Sequence, residues 1–339
     1  MSRLPARSIR ECTNSKGIRE RAVELEAHLS DYNSLKDTYQ LAARESGTYI
    51  HKNDCMKLKF YGTRGSIPIC DAGFQQFGGN TTCLQITFTD TNSIAIIDAG
   101  TGLRNLGRDL LAIGHKQEQI VIAFTHFHWD HIQGFPFFAP AYDSSQKITL
   151  LTLGRDQTVT NLREIFEVQM QAEYFPVQLD HMGANFEFLQ IADASKHFTG
   201  INNVETVVTA QRHNHPGGAY SFRVERNGKV LVVCTDVEHG EQIDPRLVEL
   251  ARGADLLVHD AQYTAEELQK RRGWGHSSFD QAMQLAEMAG VKRLALTHHD
   301  PGHDDEFLDR IEKLCRERFS NTVLAREGME IPIWETPEA

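Results

Sequence analysis

The six cysteines, Cys12, Cys55, Cys70, Cys83, Cys234 and Cys315, include no C-x-x-C pair. That absence argues against both a disulfide framework and a thiolate zinc site, so the thiols are read as reduced. Also missing is any run of about 18 uncharged apolar residues, which excludes a membrane-spanning helix. The opening MSRLPARSIRECTNSKG carries basic residues but no apolar run of secretory length, and the expected location is the cytoplasm. Positive charge is scarce: 35 Lys and Arg face 46 Asp and Glu, for a formal net charge of −11. Long nucleic acid is disfavoured on that account, because backbone binding relies on cationic side chains displacing counterions around phosphates. A small anionic substrate in a metal-charged pocket stays compatible.

What the chain does have is 339 residues, 40% of them apolar, enough for one large core or two modest ones. It also has 16 histidines, whose meaning depends on where they cluster.

Residues Ile18 to Ala43 are charge-rich, with Leu25, Leu29, Tyr32, Leu35, Tyr39 and Ala42 spaced three or four apart. That is the stripe of an amphipathic helix, packed on the body or offered to a partner helix. Residues 1–54 are therefore read as an N-terminal helical extension and 55–339 as the main domain. From Met56 on, short β-branched or apolar runs alternate with turn residues: Lys57–Tyr61, Leu84–Phe88, Ser93–Ile97, Ile120–Phe124 and Ile148–Thr152. Further runs are Val204–Thr209, Ala219–Glu225, Val230–Cys234, Leu256–His259 and Arg293–Thr297, with helical patterns at Ser278–Ala289 and Asp305–Arg318. The combination predicts an α/β chain whose sheets form the core and whose helices lie outside. The segment Gly154–Gly200 is less regular, with a helix expected over Thr158–Glu173, and its acidic residues outnumber Arg155, Arg163 and Lys196. It is no basic arm.

The run Ile120–Phe124 ends in Thr125-His126-Phe127-His128-Trp129-Asp130-His131. Side chains two apart in an extended segment point the same way, so His126 and His128 share a face, and the next turn brings Asp130 and His131 to the same mouth. Neutral imidazole and carboxylate suit zinc, manganese or iron. A lone histidine would read as a core or surface group, whereas this tight set reads as a metal site.

His126, His128, Asp130 and His131 resemble the H-x-H-x-D-H signature of metallo-β-lactamase-fold hydrolases. The resemblance covers roughly Met56 onward and implies an αββα sandwich with two divalent ions, zinc first and manganese as an alternative. It implies His126, His128 and His215 on the first ion, Asp130, His131 and His298 on the second, and Asp236 shared. His213 competes with His215 and His299 with His298, although His299 would point to the opposite side of an extended segment. Asp98 is read as support beneath the ligand loop. Paired ions of this kind acidify water and neutralise charge on a phosphoryl or carbonyl oxygen.

Val258-His259-Asp260-Ala261 and Gly275-His276-Ser277-Ser278 resemble two motifs of the ribonuclease Z-like phosphodiesterase branch, with Asp260 where the branch has Glu. The implied catalytic groups are Asp130, Asp260 and His276. Asp260 would orient one nitrogen of His276 and leave the other for a phosphate oxygen or leaving group. The bland reading of His276 is a cap, with Ser277, on the helix that follows. The loops Tyr61–Pro68 and Gly78–Thr82 put forward Arg64, Ser66, Asn80 and Thr81 as substrate contacts, and Phe135 joins them as an aromatic near the mouth. Phe137, Phe138, Tyr142, Tyr174 and Phe175 are further candidates for stacking or for the core. His303, Asp304 and Asp305 are read as opening a helix rather than binding a metal.

The expected function is hydrolysis of a small phosphodiester, foremost a 3′,5′-cyclic nucleotide cut to a nucleoside monophosphate, by a homodimer. The alternatives are tRNA 3′ processing, which calls for a basic arm, and thioester or lactone hydrolysis on the same fold. A fourth is a scaffold with a vestigial site.

Overall fold

The computed structural model describes residues 56–88, 93–114, 117–154, 160–193, 195–199 and 205–333. The helix expected over Ile18–Ala43, and the expected boundary near Asp54, lie outside the described residues.

The described residues form two seven-stranded sheets. The first takes β1 (Met56–Gly62), β2 (Cys83–Phe88), β3 (Ser93–Ile97), β4 (Gln119–Ala123), β5 (Lys147–Leu153) and β6 (Asn185–Ile191). The second takes β7 (Ser195–Thr199), β8 (Glu205–His213), β9 (Ala219–Arg226), β10 (Lys229–Cys234), β11 (Leu256–Asp260), β12 (Leu294–Thr297) and β13 (Thr322–Leu324). β14 (Glu330–Pro332) returns to lie beside β1 at the edge of the first sheet.

Burial explains the pairing. β1 alternates buried and half-buried residues along MKLKF and pairs antiparallel with β2 and β14. β10, β11 and β12 are buried at nearly every position and pair in parallel, as strands covered on both faces must. The period of two then sorts side chains between cores. Leu231, Val233 and Val258 join Phe60, Ile86 and Phe222 between the sheets. Val232, Cys234 and Leu257 face outward onto Phe279, Leu285 and Leu308 of the covering helices Phe279–Ala289 and Asp305–Arg318. On the other side Ile94, Ile120, Ile122 and Leu150 meet Leu103, Leu106 and Phe166 of helices Leu103–Ile113 and Leu162–Gln169. Each such side chain, fully buried, contributes roughly 1.5–3 kcal/mol, so apolar faces dictate the order helix, sheet, sheet, helix. This is the expected αββα sandwich.

Two expectations are corrected. The helix placed over Thr158–Glu173 is only Leu162–Gln169, because the Asn161 side chain accepts from the Glu164 amide and so marks its start. The irregular segment also holds strands β6 and β7. β6 pairs in parallel with β5 along its whole length, and these main-chain bonds outweigh the polar Asn185, Glu187 and Gln190 that mask it as a strand.

The parallel strands carry the consequence for function. Register sets Cys234 beside His259 and Asp260 beside Thr297, so the residues that follow β10, β11 and β12 emerge in a row. On the first sheet Ile97 lies beside Ala123, which sets Asp98 next to the segment after β4. Carboxyl ends of parallel strands are where open α/β sheets build their sites.

Candidate metal centre

After β4 the chain bends at Thr125, is extended at His128 and then turns into the short helix Trp129–Ile132. The rings of His126 and His128 lie 4.5 Å apart, and His131 comes within 4.3 Å of His126. His215 arrives from the turn between β8 and β9, Asp236 from the end of β10 and His298 from the end of β12. Donor atoms of His126, His128 and His215 all lie within 4.8 Å of one another, and so do those of Asp130, His131, Asp236 and His298.

Asp236 stands between the two groups. Its Oδ1 is 3.2 Å from Nε2 of His298, 3.9 Å from that of His126 and 4.0 Å from that of His215, while its Oδ2 is 3.2 Å from Nε2 of His131. Asp98, Asp236 and His298 all take left-handed backbone, with φ of 61°, 56° and 63°. For residues with a Cβ this costs roughly 1–2 kcal/mol each, and its concentration at three strand ends around one site marks a function that the fold sustains.

The outer nitrogens of the rings fix which lone pairs face inward. His131 Nδ1–H donates to Asp98 Oδ2 at 2.8 Å, His215 Nδ1–H to the Gly275 carbonyl at 2.8 Å and His298 Nδ1–H to Gln262 Oε1 at 2.9 Å. Thr125 donates its hydroxyl to Asp98 Oδ2, so at 3.1 Å it accepts from His126 Nδ1–H. Every one of these rings therefore turns Nε2, the nitrogen whose lone pair a cation would take, toward the cluster. His128 is reversed, with Nδ1 3.0 Å from Nε2 of His215.

The inward atoms test whether cations fit. Nε2 of His126, His131 and His298 and Oδ2 of Asp236 are buried without a hydrogen-bond partner. Leaving such groups bare costs about 1–3 kcal/mol each, a cost that divalent ions on imidazole and carboxylate donors remove. Charge also couples the side chains of the site to one another. Burial would raise Asp236, but His131, His298 and His126 bring it well below the carboxylate range. Burial would lower His131, but Asp236, Asp130 and Asp98 bring it well above the usual imidazole range. His126 is pushed down, by burial first and by His131 next, with Asp236 offsetting only part of this.

His276 borders both groups, its ring 4.9 Å from that of His298 and 5.4 Å from that of His215. Its Nδ1–H donates to Asp260 Oδ2 at 2.8 Å, while Asp260 Oδ1 accepts the amides of Ser277 and Gln262. The following helix is capped by Ser278, whose hydroxyl accepts from the Gln281 amide, so His276 is not the cap. His213, the competitor of His215, lies behind the site, with Nε2–H donating to the Asp236 carbonyl and Nδ1 near Ser221 Oγ. His299, the competitor of His298, turns away to the Ala325 carbonyl.

The substrate residues divide. Ser66 is exposed at the mouth and its amide donates to Asp130 Oδ2 at 2.7 Å. Arg64 and Phe135, expected as contacts, are corrected: both are 0% exposed. The Arg64 guanidinium is spent on the carbonyls of Gly78, Asp300 and His303, and Phe135 packs against Phe166. Asn80 pairs with Glu327, and Thr81 and Thr101 exchange amide-to-hydroxyl bonds, so both hold loops together. Phe138 is core, whereas Phe137 and Tyr174 are exposed. Asp304 caps the last helix through the Phe307 amide, as expected.

Sequence reasoning missed Gln262, whereas the glycine loop holding Gly65, expected to border the metal site, does so, and Gly275 joins it from the His276 motif. Gln262 lies two residues beyond Asp260, and that spacing was its only signal. A Cβ on Gly65 would come 2.3 Å from His298 Nδ1, and one on Gly275 2.2 Å from His215 Nδ1. Only a bare backbone fits against these rings.

The family model for the Beta-lactamase superfamily domain matches residues 95–299. The chain is 24% identical over 317 residues to a ribonuclease Z of Gemmatimonas aurantiaca, covering 83% of this chain and 97% of that one. Among solved structures it is similar to the metallo-beta-lactamase fold protein YhfI of Bacillus subtilis, with a TM-score of 0.59 at 19% identity over 82% of this chain and 99% of the other. It is similar as well to a diphosphatase of the PhnP family, with a TM-score of 0.58 at 18% identity over 81% and 97%. These two likenesses speak for the fold. Because the family model runs from β3 to just past His298 and takes in all the expected ligands, the chain belongs to the beta-lactamase superfamily and is a metallo-β-lactamase-fold hydrolase.

Proposed function

We propose that this hydrolase is a phosphodiesterase acting on small nucleotidic phosphodiesters. His126, His128 and His215 would hold one divalent ion, Asp130, His131 and His298 the other, with Asp236 between them, and zinc or manganese suits this donor set. When bound, the ions supply an acidified water and neutralise phosphoryl charge.

The observation that carries the reading is the 2.8 Å contact between Asp260 and His276, set beside both ligand groups. Asp260 holds Nδ1–H and so fixes the ring, which leaves Nε2 to meet a phosphate oxygen or leaving group. Ser66 supports Asp130 through its amide, and the bare backbone at Gly65 and Gly275 lets the loops pack directly against the His298 and His215 rings. A 3′,5′-cyclic nucleotide is the narrower form of this reading; it rests on the sequence resemblance and the acidic charge, and the names of the relatives above lend it no support. A homodimer belongs to the same resemblance, and the mass of the native protein in solution tests it.

A second reading, tRNA 3′ processing, is favoured by the relative named ribonuclease Z. Against it, Arg163 is the one Lys or Arg among residues 160–193, and it is already paired with Glu167 and Asp180. The test is a screen of the metal-loaded protein against cyclic mononucleotides, cyclic dinucleotides, bis-(p-nitrophenyl) phosphate and precursor tRNA. Turnover of the small esters supports the first reading. Cleavage of precursor tRNA alone replaces it with the second.

A further inference from the structure

Beside the first ligand group, where β4 and β5 end, the protein has a cavity of about 200 Å³. His126 and His128 form part of its lining, so it is continuous with the catalytic mouth. Its walls are Phe127, Ile165 and Tyr220, and the turn Pro216–Gly218 closes one side. Phe127 and Ile165 are only half-buried, so their apolar faces are accessible from this space. Gly217 and Gly218 have φ of +82° and +83°, and as glycines they lay no side chain across it. Thr152, 2% exposed, also lines the cavity, and its hydroxyl is buried without a hydrogen-bond partner.

We infer that this cavity is the subsite for the nucleobase of the substrate, an inference that rests on the phosphodiesterase reading of the same centre. Three features converge on a flat heteroaromatic ring rather than an acyl chain. Two of the lining side chains, Phe127 and Tyr220, are aromatic, the residue type on which a base stacks. The unsatisfied Thr152 hydroxyl offers one donor and acceptor for a polar ring edge, which an alkyl chain would leave bare. The site lies at the carboxyl ends of adjacent parallel strands, one step from the histidines that would hold the phosphate. The phosphate group then sits at the metal ligands while the base turns toward helix Leu162–Gln169 and away from His276.

The experiment is calorimetric titration of the metal-loaded full-length chain with adenosine monophosphate and, separately, ribose 5-phosphate. The two ligands share the phosphate and differ in the base, so their ratio isolates this subsite. Adenosine monophosphate is expected to bind about five- to a hundredfold more tightly, the range of one base–aromatic contact. Ile165→Trp, which fills the cavity, should bring the two affinities within about twofold, and Thr152→Val should narrow the ratio by about two- to tenfold while ribose 5-phosphate is unchanged. Equal affinities in the native chain overturn the inference, as does a ratio that survives both substitutions. Tighter binding of octyl phosphate than of adenosine monophosphate would overturn it in favour of an acyl pocket. A chain that shows the ratio yet cleaves no phosphodiester keeps the subsite and removes the phosphodiesterase reading.

Discussion

Asp260 and His276, 16 residues apart in sequence, meet at 2.8 Å even though the carboxylate sits on a side chain one methylene shorter than the Glu of the resembled motif. The shorter reach is made good by the backbone, since Asp260 Oδ1 also draws in the amides of Ser277 and Gln262 and so pulls the Gly275–Ser278 loop onto the end of β11.

Asp260→Asn keeps the size of the side chain and an acceptor for those amides, but removes the charge that orients His276. Turnover of bis-(p-nitrophenyl) phosphate is expected to fall about 10²-fold or more, in the range of general acid–base effects. Bound metal, measured by mass spectrometry, should stay at the native level. A parallel loss of metal would show that Asp260 serves the ligand set instead.

Removing Asp236 should differ from removing an outer ligand. Asp236 approaches donors of both groups, so Asp236→Ala is expected to deplete both ions, whereas His128→Ala should deplete the first and spare the second. Chelation of the native chain should lower Tm by several degrees, because ions that bind only the folded state stabilise it by mass action. Equal metal content in the two variants would count against a shared carboxylate.

Gly65→Ala and Gly275→Ala place a methyl group against a ligand ring, 2.3 Å from His298 and 2.2 Å from His215. Overpacking of this kind costs about 1–3 kcal/mol, and Gly275 adds strain at a φ of +94°. Both variants should unfold at lower urea and lose activity, Gly275→Ala the more so. Native midpoints would refute the close approach.

Acid should destabilise the fold through histidines outside the ligand set. Burial, with His259 next, pushes His239 down to about 3, and burial, with Arg64 next, pushes His299 down to about 3. Unfolded, each takes a proton near about 6.5. The unfolded chain thus binds more protons between these values, so stability is present above about 6.5 and is lost as pH falls toward 3. Each group contributes a slope of up to about 1.4 kcal/mol per pH unit. Urea unfolding of His299→Gln at pH values between about 5 and about 6.5 should show a shallower slope than the native chain; identical slopes would rule out a buried neutral His299.

Much of this was legible in the order of residues. His126, His128, Asp130 and His131 lie within a few positions of one another, and period and turn geometry alone bring them together. The apolar runs of β10, β11 and β12 announce strands covered on both faces, and hence the layered sandwich. β6 was hidden because its stability comes from main-chain bonds to β5, which leave no mark in its own side chains.

The remaining ligands were available from sequence only as candidates at strand ends. In the tertiary structure the rings of His215 and His298 turn to the cluster, while those of His213 and His299 are taken up by backbone carbonyls behind it. Tertiary structure also withdrew Arg64 and Phe135 from the mouth by burying them. Sequence patterns determine which residues can face a core and which chemistry they carry, since those are local properties of a side chain and its period. Which donors converge within 5 Å depends on strand register and on loop backbone that only long-range packing sets, so it is decided when the two sheets close on one another.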